Sequence, residues 1–235
     1  MFSRFKTEGI LLNSFDSGES DRFFIVYTAD FGKIRVFAKS IRKSSSKLRF
    51  GANNFFLNSI EFIEGKKKRT LTDIQTINNY KRIRQSLYSS ALALKACEDL
   101  DILTKEEEKD DGLWSLIKDF LSKLDESKND KEAFSLYLKF IWPLFSLLGY
   151  EPDLNSCLSC NGEISLAEKI YFSAGEGGVV GSCCVDSDNQ KRATDKREID
   201  LIKKMIKGEL EEIDSGTKEN IKSISEDYIK HLSSR

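Results

Sequence analysis

The chain has 235 residues, of which 40% are hydrophobic and 32% charged, and it contains two prolines and five cysteines. This composition is typical of a folded, helix-rich globular protein and excludes an intrinsically disordered chain. No apolar run approaches the roughly 18 residues that a membrane span needs, and the first residues lack the apolar core of a signal peptide, so we expect a cytoplasmic protein without a membrane partner.

The formal net charge of -1 hides a strong asymmetry along the chain. Residues 1–84 contain 17 Lys and Arg against eight Asp and Glu, a charge of about +9, whereas residues 85–235 carry about -10. Seven of the N-terminal bases fall within residues 31–49, FGKIRVFAKSIRKSSSKLR, a stretch without an acidic residue. A basic module of this kind, followed by an acidic body, predicts a polyanionic partner.

Five short strands are predicted in the first 79 residues. The segments are apolar, β-branched or alternating with a period of two, and turn residues separate them. They cover residues 8–15, 22–28, 33–39, 53–65 and 69–77. Five strands with tight connections predict a small antiparallel barrel, most simply an OB-fold nucleic-acid-binding domain over residues 1–79, with an SH3-like barrel as the alternative.

From Tyr80 the apolar residues recur every three or four positions, which predicts an α-helical domain over residues 80–235. The predicted helices are centred on residues 83–100, 113–124, 134–148, 199–206 and 221–232. The apolar face of the first helix would consist of Ile83, Leu87, Leu94, Cys97 and Leu100. Residues 152–188 are rich in turn residues and cysteines, which predicts a zinc-ribbon-like insertion. The fold class is therefore α+β: a β-barrel followed by a helical bundle with this insertion.

The alternating segment KIRVFAK, residues 33–39, combines the positive charge with an aromatic residue. Alternation directs Ile34, Val36 and Ala38 into the barrel and the intervening side chains outward. The outward set is Lys33, Arg35, Phe37 and Lys39. This pattern predicts a surface for single-stranded nucleic acid, because cations follow the phosphates while nucleobases stack on the ring, each stack contributing about 1–3 kcal/mol.

The Ser-rich segment after this strand predicts a mobile basic loop that lies along a phosphate chain. Its bases are Arg42, Lys43, Lys47 and Arg49. A second cluster, KKKR at residues 66–69, could extend the track, although short basic hairpin tips are commonly just solvated. For the whole stretch, the alternative is that charges on an edge strand only prevent aggregation. Seven cations without a counter-ion repel one another, which favours a polyanion, DNA or RNA.

Four cysteines occur in two pairs, Cys157-x-x-Cys160 and the adjacent Cys183-Cys184. A C-x-x-C turn lets two thiolates face one ion, and a second pair some twenty residues later would complete one structural zinc site. Adjacent side chains diverge in an extended segment, so one member of the second pair could be a bystander, with a water or Asp186 as a further ligand. The alternative is a ribbon that has lost its metal.

No catalytic constellation is visible. His231 is the single histidine, and the sequence contains no HExxH motif, no HxE motif and no P-loop, so zinc peptidases, zinc deaminases and P-loop ATPases are excluded. The acidic run KEEEKDD at residues 105–111 could imitate a nuclease site, but consecutive flexible carboxylates rarely hold a metal in fixed geometry. Cys97 is predicted to lie in the core. We therefore predict a binding protein that is not an enzyme and uses no nucleotide cofactor.

Two long segments carry a resemblance to a known family. GESDRFFIVYTADFGKIRVFAKSIRKSSSKLR, residues 18–49, resembles the N-terminal signature of the bacterial recombination-mediator and DNA repair family RecO. FSLLGYEPDLNSCLSCNG, residues 145–162, and YFSAGEGGVVGSCC, residues 171–184, are similar to the middle of that family. The order of the segments is the same, and the C-terminal helices are similar in character only.

The resemblance implies an OB domain, a helical bundle and a zinc-finger-like insertion. It also implies binding of single- and double-stranded DNA, annealing of complementary strands, and joint action with RecR to load RecA onto DNA coated by single-strand-binding protein, whose C-terminal tail would be a further partner. The implied localisation is cytoplasmic, in association with the nucleoid. Many family members have a second C-x-x-C, whereas here Gly181 occupies its first place, Cys184 its second, and Cys183 is displaced.

Two other functions remain open at this stage. The basic barrel is also compatible with an RNA-binding OB-fold protein without catalytic activity, and the acidic run with a metal-dependent nuclease. The DNA contacts that the resemblance implies are Lys33, Arg35, Lys39, Arg42, Lys43, Lys47 and Arg49, to which the alternation adds Phe37.

Overall fold

The computed structural model of the chain describes residues 3–164, 169–184, 191–209 and 215–234. The chain divides into two compact units, Met1–Asp130 and Lys131–Arg235. None of the helices in the described ranges has the length and apolar content that crossing a membrane requires.

The first unit begins with a closed five-stranded barrel. Its strands are β1 (Ser3–Ser17), β2 (Asp21–Thr28), β3 (Gly32–Ala38), β4 (Leu57–Glu64) and β5 (Arg69–Asn78). They follow the order β1-β2-β3-β5-β4 around the barrel, and β4 closes it by pairing with β1. All neighbours are antiparallel except β3 and β5, which pair in parallel. A closed barrel of five strands fits the OB-like prediction.

The interior of the barrel follows the predicted alternation. Ile34, Val36 and Ala38 of β3 all lie in the core. The other members of this cluster are Leu11, Phe24, Val26, Ile41, Ile60, Phe62, Leu71 and Ile74. Burial of these side chains is the main favourable term that holds the barrel closed.

The connection between β3 and β4, which was predicted to be a mobile basic loop, is anchored to this core at three residues. Ile41 is buried in the cluster, and Leu48 and Ala52 pack against it. Turn hydrogen bonds order the residues between these anchors, and Lys47–Phe50 form one turn of 3-10 helix. Three apolar residues in a basic segment therefore hold its backbone while its charged side chains remain outside.

Three helices complete the first unit. They are α1 (Lys81–Gln85), α2 (Leu87–Leu103) and α3 (Asp111–Glu126). The turn before β3 packs against the segment between α2 and α3, where a Cβ at Gly32 would lie only 2.1 Å from the carbonyl oxygen of Glu108. Gly32 also has a φ of +62°, so this close approach requires glycine.

The first predicted helix is interrupted at Ser86. This residue has extended backbone angles, and its hydroxyl accepts a hydrogen bond from the backbone N–H of Ser89, which caps α2. The break resets the helical phase, so the predicted apolar face is wrong at Leu87 and Leu94, which are 90% and 43% exposed. The buried face of α2 consists instead of Ala93, Ala96, Cys97, Leu100 and Leu103, with Ser89 and Asp99.

The second unit combines three helices with a small sheet. The helices are α4 (Asp130–Leu147), α5 (Lys196–Ile206) and α6 (Ser215–Leu232), and the strands are β6 (Ile170–Ser173), β7 (Gly178–Gly181) and β8 (Lys191–Thr194). The sheet is antiparallel with the order β7-β6-β8. Edge-to-face aromatic contacts join sheet and helices, since Tyr228 lies 5.1 Å from Phe145 and 5.6 Å from Phe172 between ring centroids.

These elements confirm the predicted α+β class, a barrel followed by helices. The change from strands to helices comes after β5, close to the predicted residue, while the first compact unit also includes α1, α2 and α3. The division into domains at residues 79 and 80 stays a prediction.

Candidate functional site

Three phenylalanines form a row across the outer face of β1, β2 and β3. Phe23 pairs with Phe15 on one side and with Phe37 on the other, and directly paired residues share one face of a sheet. The ring centroids of Phe23 and Phe37 are 5.0 Å apart. This face of strands 2 and 3 is where OB folds bind oligonucleotides and oligosaccharides.

Cations cover these rings. The guanidinium carbon of Arg35 lies 5.5 Å from the ring centroid of Phe15 and 5.9 Å from that of Phe23. The ammonium of Lys68, from the hairpin between β4 and β5, lies 3.2 Å from the centroid of Phe37. Both arrangements are cation–π contacts, so the row attracts positive charge to the outer surface of the barrel.

The predicted role of Phe37 is corrected in one respect. Its side chain does point outward, but it is only 7% exposed, because Phe23 and Lys68 flank it. A base could stack on Phe37 only after the Lys68 ammonium had moved away from the ring. Alternation predicts the direction of a side chain and not what covers it.

The prediction that Lys33 is an exposed cation is wrong. Lys33 is 7% exposed, and its ammonium donates a hydrogen bond to the carbonyl oxygen of Asp101 in α2 and lies 3.5 Å from the carboxylate of the same residue. The backbone carbonyl of Lys33 accepts a further bond, at 2.8 Å, from the N–H of Glu107. Helix α2 and the segment after it therefore cover this end of β3, which strand periodicity does not reveal.

Six of the predicted cations are exposed: Arg35, Lys39, Arg42, Lys43, Lys47 and Arg49. Arg42 has a counter-ion outside the basic stretch, since its guanidinium lies 3.2 Å from the carboxylate of Asp16, which also binds Arg22 at 2.7 Å. No carboxylate in the described ranges lies within ion-pair distance of the other exposed lysines or of Arg49. Lys39, Lys43, Lys47 and Arg49, all in the connection between β3 and β4, are therefore uncompensated cations within the described ranges.

The start of the basic connection is fixed beside the turn between β1 and β2. The backbone N–H of Ser40 donates to the carboxylate of Asp21 at 2.7 Å, and the N–H of Arg42 donates to the carbonyl of Ser20 at 3.0 Å. Phe15 and Arg22 belong to the strands that this turn joins. The bonds thus bring Lys39 and Arg42, at the start of the connection, to the edge of the aromatic row.

A test follows from the burial of Lys33. The substitution Lys33→Met keeps the length of the side chain but leaves both Asp101 acceptors without this donor, so we expect a loss of about 1–3 kcal/mol in the free energy of unfolding. Lys39→Met, at an exposed position directly after the same strand, should change the free energy of unfolding by no more than about 0.5 kcal/mol. Urea denaturation measures both variants. Equal stability of the two would show that Lys33 is not held by Asp101.

A second site is formed by cysteines in the second unit. The Sγ atoms of Cys157, Cys160 and Cys184 all lie within 4.8 Å of one another. The first two belong to a turn in which Asn161 N–H donates to the carbonyl of Cys157 at 2.8 Å. Thiolates around a zinc ion with Zn–S bonds of about 2.3 Å are roughly 3.8 Å apart, so the three sulfurs fit a shared metal.

The electrostatics of Cys157 favour a thiolate. Burial alone would raise its pKa, but hydrogen bonds from the backbone N–H groups of Gly181, Cys160 and Ser159 outweigh burial and lower the pKa to about 6. The N–H of Gly181 lies 3.4 Å from the sulfur. Such N–H···S bonds stabilise the charged form that binds metal.

The roles predicted for Cys183, Asp186 and Cys97 have different outcomes. The side chain of Cys183 and all of Asp186 lie outside the described residues, so their predicted roles stay predictions. Cys97 is fully buried in α2, and burial raises the pKa of its thiol to about 12. This confirms the expectation that it is a core residue.

The acidic run at residues 105–111 serves the fold. The carboxylate of Asp110 accepts from the N–H of Leu113 and caps α3, while Glu107 pairs with Arg69 of β5 at 2.8 Å. Within the described ranges, the thiol cluster is the group of side chains that fits a metal ion. His231 lies in the last turn of α6, as predicted.

The positions of Phe15, Phe23 and Lys68 beside Phe37 were not predicted from the sequence. Phe15 and Phe23 stand in alternating strands, but only the register of β1, β2 and β3 shows that they adjoin Phe37. The approach of Lys68 depends on the parallel pairing of β3 with β5, in which Phe37 lies opposite Thr70. Pairing between strands that are distant in sequence is not encoded in local periodicity.

Comparison with known proteins gives matches over nearly the whole chain. Residues 1–80 match the family described as Recombination protein O N terminal, and residues 84–235 match Recombination protein O C terminal. A DNA repair protein RecO from Dehalococcoides mccartyi strain 195 is 35% identical over 180 residues, which cover 77% of this chain and 70% of that protein. Two further proteins of the same name are each 28% identical: the one from Caldanaerobacter subterraneus is matched over 89% of this chain and 83% of its own length, and the one from Thermoanaerobacter sp. strain X514 over 97% and 92%.

Proposed function

The chain belongs to the RecO family of DNA repair proteins, and we propose that it is a recombination mediator that binds single- and double-stranded DNA and anneals complementary strands. Membership of the family confirms the resemblance seen in the sequence. The proposed activity involves no catalytic residue and no nucleotide cofactor.

One observation carries this proposal: exposed cations border an aromatic row on the outer face of β2 and β3. The predicted DNA contacts that remain exposed are Arg35, Lys39, Arg42, Lys43, Lys47 and Arg49, with Lys68 as an addition. Phosphate oxygens are the ligands that such groups select, and neutralised phosphates release counter-ions, which drives binding. Residues 1–79 would act as the nucleic-acid-binding domain, and residues 80–235 as the helical domain that includes the insertion at residues 152–188.

Annealing follows from the same surface. Two complementary strands repel each other through their phosphates, and a cationic surface that holds both lowers this repulsion. The contacts proposed here go to the backbone, so the Watson–Crick edges of the bases remain available for pairing. Hydrolysis is not needed, since the free energy of duplex formation drives the reaction.

The finer roles rest on family membership. They are the loading of RecA together with RecR on DNA coated by single-strand-binding protein, and contact with the C-terminal tail of that protein. We also propose that the protein is cytoplasmic and associates with the nucleoid.

One structural zinc ion is also proposed. Cys157, Cys160 and Cys184 would hold it, with Cys183 as the candidate for a fourth ligand. When bound, the ion would cross-link the C-x-x-C turn to the residues that follow β7 and so stabilise the insertion.

Mixing complementary DNA oligonucleotides with the protein tests the function. We expect duplex formation without any nucleotide to be faster by about tenfold or more at low salt, because electrostatic attraction raises encounter rates by this order. Parallel reactions with RNA strands and with Mg²⁺ distinguish the other functions.

A marked preference for RNA would favour an RNA-binding protein, and shortened strands would indicate a nuclease. An annealing rate equal to that of strands without protein would refute the mediator proposal.

A further inference from the structure

Phe50 is a large apolar side chain that remains 79% exposed. It ends the 3-10 turn Lys47–Phe50 in the basic connection between β3 and β4. Exposure of an aromatic ring gives up the favourable free energy that its burial would supply. A single exposed apolar residue is not unusual by itself, so its setting decides whether this one has a ligand.

The backbone around Phe50 is held in place from both sides. Leu48 and Ala52, two residues before and two residues after, pack against the barrel core. The carbonyl of Phe50 accepts a hydrogen bond from the side-chain amide of Asn53 at 3.3 Å, and the N–H of Ala52 approaches the carbonyl of Arg49 at 3.4 Å. The ring is therefore presented outward by an anchored segment.

Gly51 shows how closely this segment packs. A Cβ at this position would lie 3.1 Å from a side-chain carbon of Ile74 in β5, a distance shorter than an ordinary contact between carbon atoms. The backbone next to Phe50 thus lies directly on the barrel, which fixes the position from which the exposed ring projects. A preorganised aromatic side chain binds with a smaller loss of conformational entropy.

The rings of the aromatic row are less accessible than that of Phe50, and Phe15, the most exposed of them, is 39% exposed. Lys68 covers Phe37, and Arg35 lies over both Phe15 and Phe23. Phe50 is the most exposed large apolar residue of the barrel and its connections in the described ranges. A base can therefore stack on Phe50 without displacing a cation, whereas stacking on Phe15, Phe23 or Phe37 would compete with Arg35 or Lys68.

Positive charge flanks the ring of Phe50. Lys47 and Arg49 belong to the same turn and are exposed, and no described carboxylate forms an ion pair with either of them. Proteins that bind single strands combine cations that follow the backbone with aromatic rings on which bases stack. Phosphates on both sides of one base could bind these two cations while the base lies on the ring.

We propose that Phe50 stacks on an unpaired nucleobase and thereby makes the interface favour single-stranded over double-stranded DNA. In a duplex, both faces of each base already contact neighbouring bases, so no base face is free to stack on Phe50. The inference rests on the proposed DNA-binding function and adds the residue that distinguishes the two forms of DNA.

The test is the variant Phe50→Ala, measured with a single-stranded oligonucleotide, the matching duplex, and a strand of equal length whose residues are abasic. Loss of one stack should weaken binding of the single strand by about 5- to 100-fold. The duplex and the abasic strand should bind as they do to the parent protein, and the dependence of binding on salt should keep its slope. Phe50→Trp should retain the affinity.

The matched control is Leu87→Ala, which removes a side chain that is 90% exposed in α2 of the same unit; it should leave all three affinities unchanged. If Phe50→Ala binds the single strand as the parent does, or loses affinity equally for the abasic strand, the inference is overturned. If Phe50 instead binds a partner protein, Phe50→Ala should bind the single strand as the parent does, and this result also counts against the inference. If the parent protein binds no DNA, the proposed function itself fails.

Discussion

Replacing Cys160 with serine should remove the bound zinc and lower the midpoint of thermal unfolding by about 10 °C or more. Cys160 is exposed, and substitutions at exposed positions ordinarily change stability by no more than about 0.5 kcal/mol. Structural zinc contributes about 10–16 kcal/mol in zinc-finger peptides. If about 3 kcal/mol of this is lost here, a shift of roughly 4 °C for each kcal/mol gives the expected drop.

The exposure of Cys160 makes it a better test than Cys157. Cys157 is 3% exposed, so its replacement would disturb packing whether or not a metal is bound. Ser159→Ala, in the same turn, keeps the backbone N–H and serves as the control, with metal content and unfolding midpoint expected to match the parent. Elemental analysis of gently purified protein gives the zinc-to-protein ratio, and calorimetry gives the midpoint.

Treatment of the parent protein with a chelator should reproduce the effect of Cys160→Ser. A ratio near zero in the parent protein, together with an unchanged midpoint in Cys160→Ser, would contradict the zinc proposal. The second unit has an aromatic core around Phe145, Phe172 and Tyr228, so we expect the metal-free protein to keep its helices and to lose mainly the order of the insertion.

Much of the fold was predictable because it is local. The five strands follow from alternation, and the helices after residue 80 follow from apolar residues at three- and four-residue spacing. The wrong apolar face predicted for α2 also has a local cause. Ser86 is an N-cap residue that begins a new helix, but the apolar spacing around it looks like that of one continuous helix.

The site was predictable only in its composition. The charge and the outward direction of β3 could be inferred, but the burial of Lys33 depends on Asp101, which is 68 residues away. The cover over Phe37 comes from Lys68, in a hairpin that adjoins β3 only because the barrel closes. The identity of a counter-ion or covering group is a tertiary property, which periodicity does not contain.

The thiol cluster shows the same division. The C-x-x-C spacing predicted that Cys157 and Cys160 face one point, and the structure brings Cys184 of the predicted second pair, from the residues after β7, to the same point. Gly181 stands where many members of the family have a cysteine. Its backbone N–H donates a hydrogen bond to the sulfur of Cys157. A backbone donor leaves no trace in the identity of the side chain.

Replacing Lys39, Lys43 and Lys47 together with alanine should weaken binding of single-stranded DNA by about 30-fold at 0.2 M salt and by several hundred-fold at 0.05 M salt. These three lysines are exposed and have no ion pair in the described ranges, so each can neutralise one phosphate at little cost. The slope of log K against log salt should become less steep by about 2, at roughly 0.7 for each phosphate contact.

The choice of lysines follows from the contacts of the neighbouring arginines. Arg35 is engaged with two aromatic rings and Arg42 with Asp16, so part of their charge is already compensated. Arg42→Ala alone should therefore change the slope less than Lys43→Ala alone.

A control of equal charge separates local contacts from net charge. The control replaces Lys196, Lys207 and Lys230 with alanine. These lysines are exposed in the second unit, so the control removes the same number of positive charges as the test variant. If these phosphate contacts lie on the barrel, this control keeps nearly the slope of the parent protein, because only cations that neutralise phosphates contribute to the slope. Equal slopes for the two triple variants would show that the bases of the connection between β3 and β4 do not bind the phosphates, and that DNA is held by another surface.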